Sequence, residues 1–139
     1  MKNLRILIVD DHEVVRRGLL ALLATQAGWE VIGEATSGPD AVRKVAQTKP
    51  DVVVMDITMP VMSGLDATRL IMETSPQTKV LIFTMHDSEQ MVQTALEAGA
   101  RGYALKSDGG NNLISAVKAL SQHEIFVTPQ VSKRFPRAV

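Results

Sequence analysis

The sequence predicts an α/β protein built on a doubly wound parallel sheet. Short apolar runs alternate with longer segments of helical periodicity along nearly the whole chain of 139 residues. Five such β–α pairs occur in succession. Parallel strands are joined by right-handed helical crossovers, which place helices on both faces of the sheet. Hydrophobic residues make up 45% of the chain, which fits one globular domain with a buried core.

Five segments are predicted strands because they are short, apolar or β-branched, and bounded by polar residues or glycine. They are Leu4–Val9, Glu30–Ala35, Val52–Met55, Lys79–Phe83 and Gly102–Leu105. The run Val52–Met55 is the most apolar and is therefore expected near the centre of the sheet.

The segments that follow the strands carry apolar residues at helical spacing. We expect helices over His12–Thr25, Pro39–Gln47, Gly64–Thr74, Ser88–Ala98, and from a cap at Asn111 or Asn112 to about Gln122. Ser88 is a good N-cap residue, and Gly99 is a typical stop signal.

The alternation ends after Gln122. We expect a domain over residues 1–124 and a C-terminal tail, or the start of a linker, over residues 125–139. Phe126 and Phe135 slightly favour the linker, because large apolar side chains are wasteful in a free tail.

Composition excludes several classes of protein. Lys plus Arg number 15 and Asp plus Glu number 15, so no net charge attracts nucleic acid or an anionic membrane. The absence of cysteine excludes disulfides, thiolate zinc sites and cysteine nucleophiles. No segment resembles a signal peptide or a membrane span, so a cytoplasmic protein without membrane contact is expected.

Polar residues stand where four of the predicted strands end: Asp10 and Asp11, Asp56, Thr84, and Lys106. The carboxyl ends of parallel strands share one edge, where open sheets bind their ligands. Three neighbouring carboxylates would repel one another, and Mg²⁺ relieves such repulsion with oxygen ligands. Alternatively, Asp10 and Asp11 only cap the next helix, Thr84 is a plain strand residue, and Lys106 a surface lysine.

The same residues suit phosphoryl transfer. An aspartate such as Asp56 can attack phosphorus and form an acyl phosphate. The protein then needs little beyond positioning and charge neutralisation, which a metal ion and Lys106 can supply. Thr84 can donate its hydroxyl hydrogen to a further phosphoryl oxygen.

Four ordered segments carry a family resemblance. Residues 55–64 (MDITMPVMSG) resemble the phosphorylation loop of bacterial two-component response regulator receiver domains. Residues 10–18 (DDHEVVRRG), 81–87 (LIFTMHD) and 99–107 (GARGYALKS) resemble three further family segments, and the similarity extends over roughly residues 4–122. The residues of these four segments are most similar to the NarL/FixJ (LuxR-type) subfamily, and this resemblance implies a flavodoxin-like sheet with strand order 2-1-3-4-5.

The resemblance implies a role for each residue. Asp56 accepts a phosphoryl group from the phosphohistidine of a sensor histidine kinase. Mg²⁺ is held by Asp11, Asp56 and the backbone carbonyl of Thr58, with Asp10 acting largely through water. Thr84 and Lys106 contact the bound phosphoryl group. Thr84 and Tyr103 are the residues that switch conformation.

The resemblance also implies partners and an output. Phosphorylation would change conformation and control transcription through a helix-turn-helix domain that this chain lacks, so DNA would be bound only by that missing domain. The chain is therefore expected to be a receiver cut from a longer regulator, with a natural single-domain receiver as the alternative. Phosphorylation could produce a homodimer. Two candidate interfaces are the surface over Ser88–Gln122 and the surface formed by the first and fifth helices.

Two residues depart from the family pattern, and two other classes of protein are alternatives. Met85 is larger than the residue that many receivers carry there, and Ser107 replaces a proline that often follows a cis bond, leaving cis or trans open. A magnesium-dependent aspartyl-phosphate phosphohydrolase is the alternative function, but Thr58 stands where that class needs an aspartate. Dinucleotide binding is a poor third, because no glycine-rich turn follows the first strand.

Overall fold

A computed structural model describes residues 3–127 and contains a six-stranded sheet in which every neighbouring pair is parallel. The strands are β1 (Leu4–Val9), β2 (Trp29–Ala35), β3 (Val52–Met55), β4 (Lys79–Thr84), β5 (Gly102–Leu105) and β6 (Phe126–Val127). Their order is β2-β1-β3-β4-β5-β6. The predicted doubly wound fold and the order 2-1-3-4-5 are confirmed, with one short strand added.

That sixth strand falls in the segment predicted to be a tail or linker. Phe126 pairs with Gly102 and Val127 with Tyr103, and both residues of β6 are half-buried. The backbone N–H of Phe126 donates to the carbonyl of Arg101 at 3.1 Å. The short apolar pair thus covers the edge of β5, and the prediction of five strands is corrected to six. The rest of the predicted tail, residues 128–139, lies outside the described residues.

The helices are α1 (Glu13–Leu23), α2 (Gly38–Thr48), α3 (Gly64–Thr74), α4 (Glu89–Glu97) and α5 (Gly110–Ser121), with a short 3-10 helix at Lys106–Asp108. Three begin with a serine whose Oγ accepts a backbone N–H at 3.2 Å, namely Ser37, Ser63 and Ser88. Such caps satisfy N–H groups that have no partner inside the helix.

The start of α5 corrects the expected cap at Asn111 or Asn112. The helix begins at Gly110, and the residue before it is Gly109 with φ 85°. The chain must turn out of the 3-10 helix at this point, and the positive φ favours glycine. Sequence periodicity does not reveal that turn.

The core forms two layers, one on each face of the sheet. Alternating strand residues such as Val53 and Ile82 pack with apolar side chains of α2, α3 and α4, whereas their neighbours Val54 and Leu81 pack with α1 and α5. All four residues of β3 are buried, because β3 lies between β1 and β4 and both of its faces are covered.

The strand register aligns the carboxyl ends that carry the polar residues. Val9 pairs with Met55, so Asp10 and Asp56 both lie one residue beyond this pair. Thr84 pairs with Leu105, which places Lys106 beside the end of β4. Within the described residues, none of the helices combines the length and the apolar character required to cross a membrane.

Candidate phosphoacceptor and metal site

The cleft at the carboxyl edge is organised around an ionic contact between three side chains. Lys106 Nζ lies 2.9 Å from Asp10 Oδ2 and 3.4 Å from Asp56 Oδ2. Asp10 and Asp56 are only 1% and 5% exposed. Buried carboxylates are costly unless a cation or hydrogen bonds offset their desolvation. Because one lysine faces two aspartates, the net charge of the cleft is negative.

Asp10 is fixed by its own loop and by α1. The backbone N–H of His12 donates to Asp10 Oδ1 at 2.9 Å, and His12 Nδ1 lies 3.0 Å from the same oxygen. Arg16 donates from Nη1 to the carbonyl oxygen of Asp10 at 2.8 Å and from Nε to Glu34 at 3.0 Å. Arg16 therefore ties the β1–α1 turn to β2. No sequence pattern predicts this role of Arg16.

Asp56 is oriented by the chain that follows it. Its Oδ1 accepts the N–H of Ile57 at 2.8 Å, so its Oδ2 remains for the cleft. Burial raises the pKa of Asp56, the Lys106 charge acts against that rise, and the Asp10 charge adds to it. Below Asp56, Gly64 opens α3 so closely that an added Cβ would lie 1.9 Å from the Asp56 carbonyl oxygen. Only glycine allows α3 to start against this strand end.

Asp11 completes an acidic group that fits a hard divalent ion. One ligand atom from each of Asp10, Asp11, His12 and Asp56 lies within 4.8 Å of all the others. Asp11 Oδ1 is buried and accepts no hydrogen bond, and His12 Nδ1 lies 3.2 Å away. A buried carboxylate oxygen without a donor is what a cation would satisfy. Carboxylate oxygens are also the ligands that Mg²⁺ prefers.

The mouth of the cleft is lined by Thr84 at the end of β4 and by the β3–α3 and β4–α4 loops, which contribute Thr58, Met85 and His86. His86 Nε2 is 2.9 Å from Thr58 Oγ1, so a hydrogen bond joins the two loops across the mouth. The side chain of His86 is exposed. Its contact with Thr58 was missed, because the two lie 28 residues apart in sequence. Met85 is 66% exposed and lines the mouth of the cleft.

Tyr103 lies beneath the β4–α4 loop with a fully buried side chain. Its hydroxyl donates to the carbonyl of His86 at 2.6 Å, while the N–H of His86 donates to Thr84 Oγ1 at 3.2 Å. Thr84 thus binds the backbone N–H of His86, and Tyr103 binds the backbone carbonyl of the same residue. Burial, together with the charge of Asp87, raises the pKa of Tyr103 and keeps the phenol protonated.

The structure brings the residues predicted for the site close together. Asp10, Asp11, Asp56, Thr58, Thr84 and Lys106 all contribute to this cleft or its immediate wall, with Tyr103 behind it. No cis peptide bond occurs among residues 3–127, so the bond between Lys106 and Ser107 is trans. The turn after β1 holds carboxylates where a dinucleotide site would need a glycine-rich loop.

An open parallel sheet with this acidic cleft, lysine and threonine defines the class of doubly wound domains that bind ligands beyond their strand ends. Residues 6–118 match the family described as the response regulator receiver domain. The chain belongs to that family, and the family prediction made from the four sequence segments is confirmed.

Relatives and solved structures agree on the subfamily. The chain is 39% identical to the transcriptional regulatory protein DegU of Brevibacillus brevis over 94% of this chain and 55% of DegU. It is 40% identical to the response regulator VraR of Staphylococcus aureus over 93% of this chain and 62% of VraR. A two-component response regulator of the LuxR family from Aurantimonas superposes with a TM-score of 0.94 at 36% identity, covering 98% of this chain and 97% of that chain.

The receiver domain of the NarL regulator from Mycobacterium tuberculosis superposes with a TM-score of 0.83 at 30% identity, covering 88% of this chain and 98% of that chain. These similarities confirm the NarL/FixJ (LuxR-type) assignment and do not favour the phosphohydrolase. The chain spans between half and two thirds of the length of the curated relatives DegU and VraR.

Proposed function

We propose that this chain is a phosphorylation-activated switch in which Asp56 accepts a phosphoryl group from the phosphohistidine of a sensor histidine kinase. The observation that supports this most is the placement of Asp56. Its carboxylate is buried, held at Oδ1 by a backbone N–H, and directed at Oδ2 toward a lysine 3.4 Å away. Such an oriented, partly desolvated carboxylate is suited to attack phosphorus.

In the transfer step, a bond forms between the Asp56 carboxylate and phosphorus while the bond from phosphorus to the kinase imidazole breaks. The imidazole leaves with the electron pair of that bond and takes up a proton. Lys106 already lies between two carboxylates, so a small shift pairs its ammonium with a phosphoryl oxygen. Thr84 offers a hydroxyl that can donate to a second phosphoryl oxygen while it accepts the His86 N–H.

We propose Mg²⁺ as the cofactor, held by carboxylates of Asp11 and Asp56 and by the Thr58 carbonyl, with Asp10 mainly in a supporting position. The fit rests on the acidic group and on the Asp11 oxygen that has no donor. Bound there, the ion would neutralise charge on the transferred phosphoryl group. Arg16 would keep Asp10 in place through the backbone, whichever ion is bound.

The switch would run through His86. If Thr84 moves toward the phosphoryl group, it draws the His86 peptide with it, and the Tyr103 hydroxyl is bound to the same residue. The Tyr103 ring would then follow and change the surface formed by α4, β5 and α5. This is the element with two states that a phosphorylation switch requires. The output would be transcription, through a DNA-binding domain joined beyond the described residues.

The experiment is phosphorylation of the purified chain with acetyl phosphate, followed by intact mass measurement. We expect one added phosphoryl group when Mg²⁺ is present and none after chelation. Asp56→Asn should abolish the addition, whereas Asp66→Asn, a matched change on the exposed surface of α3, should leave it intact. Equal labelling of Asp56→Asn would overturn the proposal, and sustained turnover of phosphate esters would favour the phosphohydrolase instead.

A further inference from the structure

His12 contributes a nitrogen atom to the acidic cleft. Its Nδ1 lies 3.0 Å from Asp10 Oδ1 and 3.2 Å from Asp11 Oδ1. Its backbone N–H is bound to the same Asp10 oxygen, which fixes the residue at the start of α1. The side chain is 64% exposed, so burial does not explain why the ring turns toward the carboxylates. The phosphoryl-transfer role proposed above makes no use of this imidazole.

The distances match those between neighbouring ligands on one metal ion. Two ligands with bonds of about 2.1 Å are about 3.0 Å apart at a right angle and about 3.4 Å apart in a tetrahedron. The two separations from His12 Nδ1, 3.0 and 3.2 Å, fall in this range. In addition, the His12 nitrogen and the three carboxylates all lie within 4.8 Å of one another. Four donor atoms are thus already collected in one place.

The imidazole can become a ligand without a change of charge. An ionised carboxylate only accepts hydrogen bonds, so Nδ1 carries the hydrogen when it contacts Asp10. The other neutral tautomer carries that hydrogen on Nε2 and leaves the Nδ1 lone pair for a metal ion. A divalent ion among these carboxylates would therefore replace the bridging hydrogen and keep the same neighbours.

We propose that the cleft also binds a transition-metal ion such as Co²⁺ or Zn²⁺, with His12 Nδ1 as a ligand beside the carboxylates. The inference rests on the metal site of the proposed function and adds to it a residue that decides which ion is preferred. Mg²⁺ takes oxygen ligands and retains water, so it gains little from an imidazole. Co²⁺ and Zn²⁺ bind imidazole strongly, so His12 favours them over Mg²⁺.

The test compares metal binding to the intact chain and to three variants by titration calorimetry. His12→Asn removes the imidazole but keeps a polar residue that is suited to the position before a helix. His86→Asn makes the same change at the mouth of the cleft, and His123→Asn makes it at the opposite end of the sheet. The sequence contains three histidines, so these variants cover every imidazole. The absorption spectrum of bound Co²⁺ gives a second readout, because the position and intensity of its d–d bands change with the ligands and the coordination geometry.

We expect His12→Asn to weaken Co²⁺ and Zn²⁺ binding about tenfold or more and to change Mg²⁺ binding less than about twofold. The Co²⁺ spectrum should shift in this variant alone. Equal Co²⁺ affinity in the intact chain and His12→Asn would overturn the inference, as would a loss seen in His86→Asn instead. Normal Mg²⁺ binding and phosphorylation in those cases would leave the proposed function standing. Failure of the intact chain to bind Mg²⁺ would instead count against the proposed function.

Discussion

Replacing Asp11 by asparagine should stabilise the metal-free protein and remove its response to Mg²⁺. Asp11 is the carboxylate that can be neutralised without breaking a lysine contact, because Lys106 binds Asp10 and Asp56. Its Oδ1 accepts no hydrogen bond, so little favourable interaction is lost. What is removed is repulsion from two buried carboxylates nearby.

The size of the effect follows from the distances. Unit charges 4.8 Å apart, the upper limit for the ligand atoms of this group, interact by about 3.5 kcal/mol at an effective dielectric constant near 20. The Asp11 side chain is 27% exposed, so solvent and salt reduce this repulsion. We expect a net gain of about 1–2 kcal/mol in the free energy of unfolding, which raises Tm by roughly 2–8 °C. Conversely, Mg²⁺ at ten times its Kd should stabilise only the unmodified protein, by about 1.4 kcal/mol.

The assay is chemical denaturation of both proteins, with Mg²⁺ and with chelator. Glu97→Gln removes the same charge from the exposed end of α4 and should change stability by less than about 0.5 kcal/mol. If Asp11→Asn is less stable than the parent without metal, the three carboxylates do not repel as inferred. If it retains the full Mg²⁺ stabilisation, Asp11 is not a ligand.

Three further predictions concern packing, the switch and pH. Gly64→Ala should lower the free energy of unfolding by about 1–3 kcal/mol, because the added Cβ meets the Asp56 carbonyl. Gly18→Ala has open space within α1 and should raise the free energy of unfolding by about 0.5–1 kcal/mol in the same denaturation assay. Equal changes in the two variants would contradict the packing argument. Tyr103→Phe loses one buried hydrogen bond and should lower the free energy of unfolding by about 0.5–1.5 kcal/mol. In this variant, the change in amide exchange that beryllofluoride causes over α4–α5 should be smaller than in the parent. An unchanged exchange response would exclude the hydroxyl from the switch. Because the pKa of Asp56 is raised in the folded protein, its protonated form favours folding at low pH, and that contribution is lost as pH rises from about 4 through the folded-state pKa. In metal-free buffer, the stability of Asp56→Asn should not show this loss as the pH rises. If the free energies of unfolding of the two proteins change in the same way with pH, the raised pKa of Asp56 is contradicted.

The sheet was predictable from sequence because its signals are local. β1, β3 and β5 have the bounds expected from their apolar runs, and Ser88 caps α4 as its residue type predicts. The carboxyl-edge site followed from topology alone, since parallel strands bring their ends to one edge. By contrast, β6 is only two residues long and becomes a strand through pairing with β5. No periodicity can reveal such a contact.

The residues missed at the site are those that act through distant partners. Sequence periodicity predicts only that Arg16 lies in a helix, whereas the structure shows that it binds the carbonyl of Asp10 and the side chain of Glu34 in β2. His86 reaches Thr58 across two loops. Long polar side chains can reach several partners, and which one they bind depends on how the loops pack. Residue type and spacing therefore indicated the acids and the lysine but not the groups that hold them.

The most direct test of the account is to identify the residue that carries the phosphoryl group. The chain is treated with acetyl phosphate and Mg²⁺, the acyl phosphate is trapped by borohydride reduction, and the modified residue is located by peptide mass spectrometry. We predict modification at Asp56 alone, with Asp10 and Asp11 unmodified. A phosphoryl group found on another residue, or distributed among the three aspartates, would contradict the claim that this cleft orients a single phosphoacceptor.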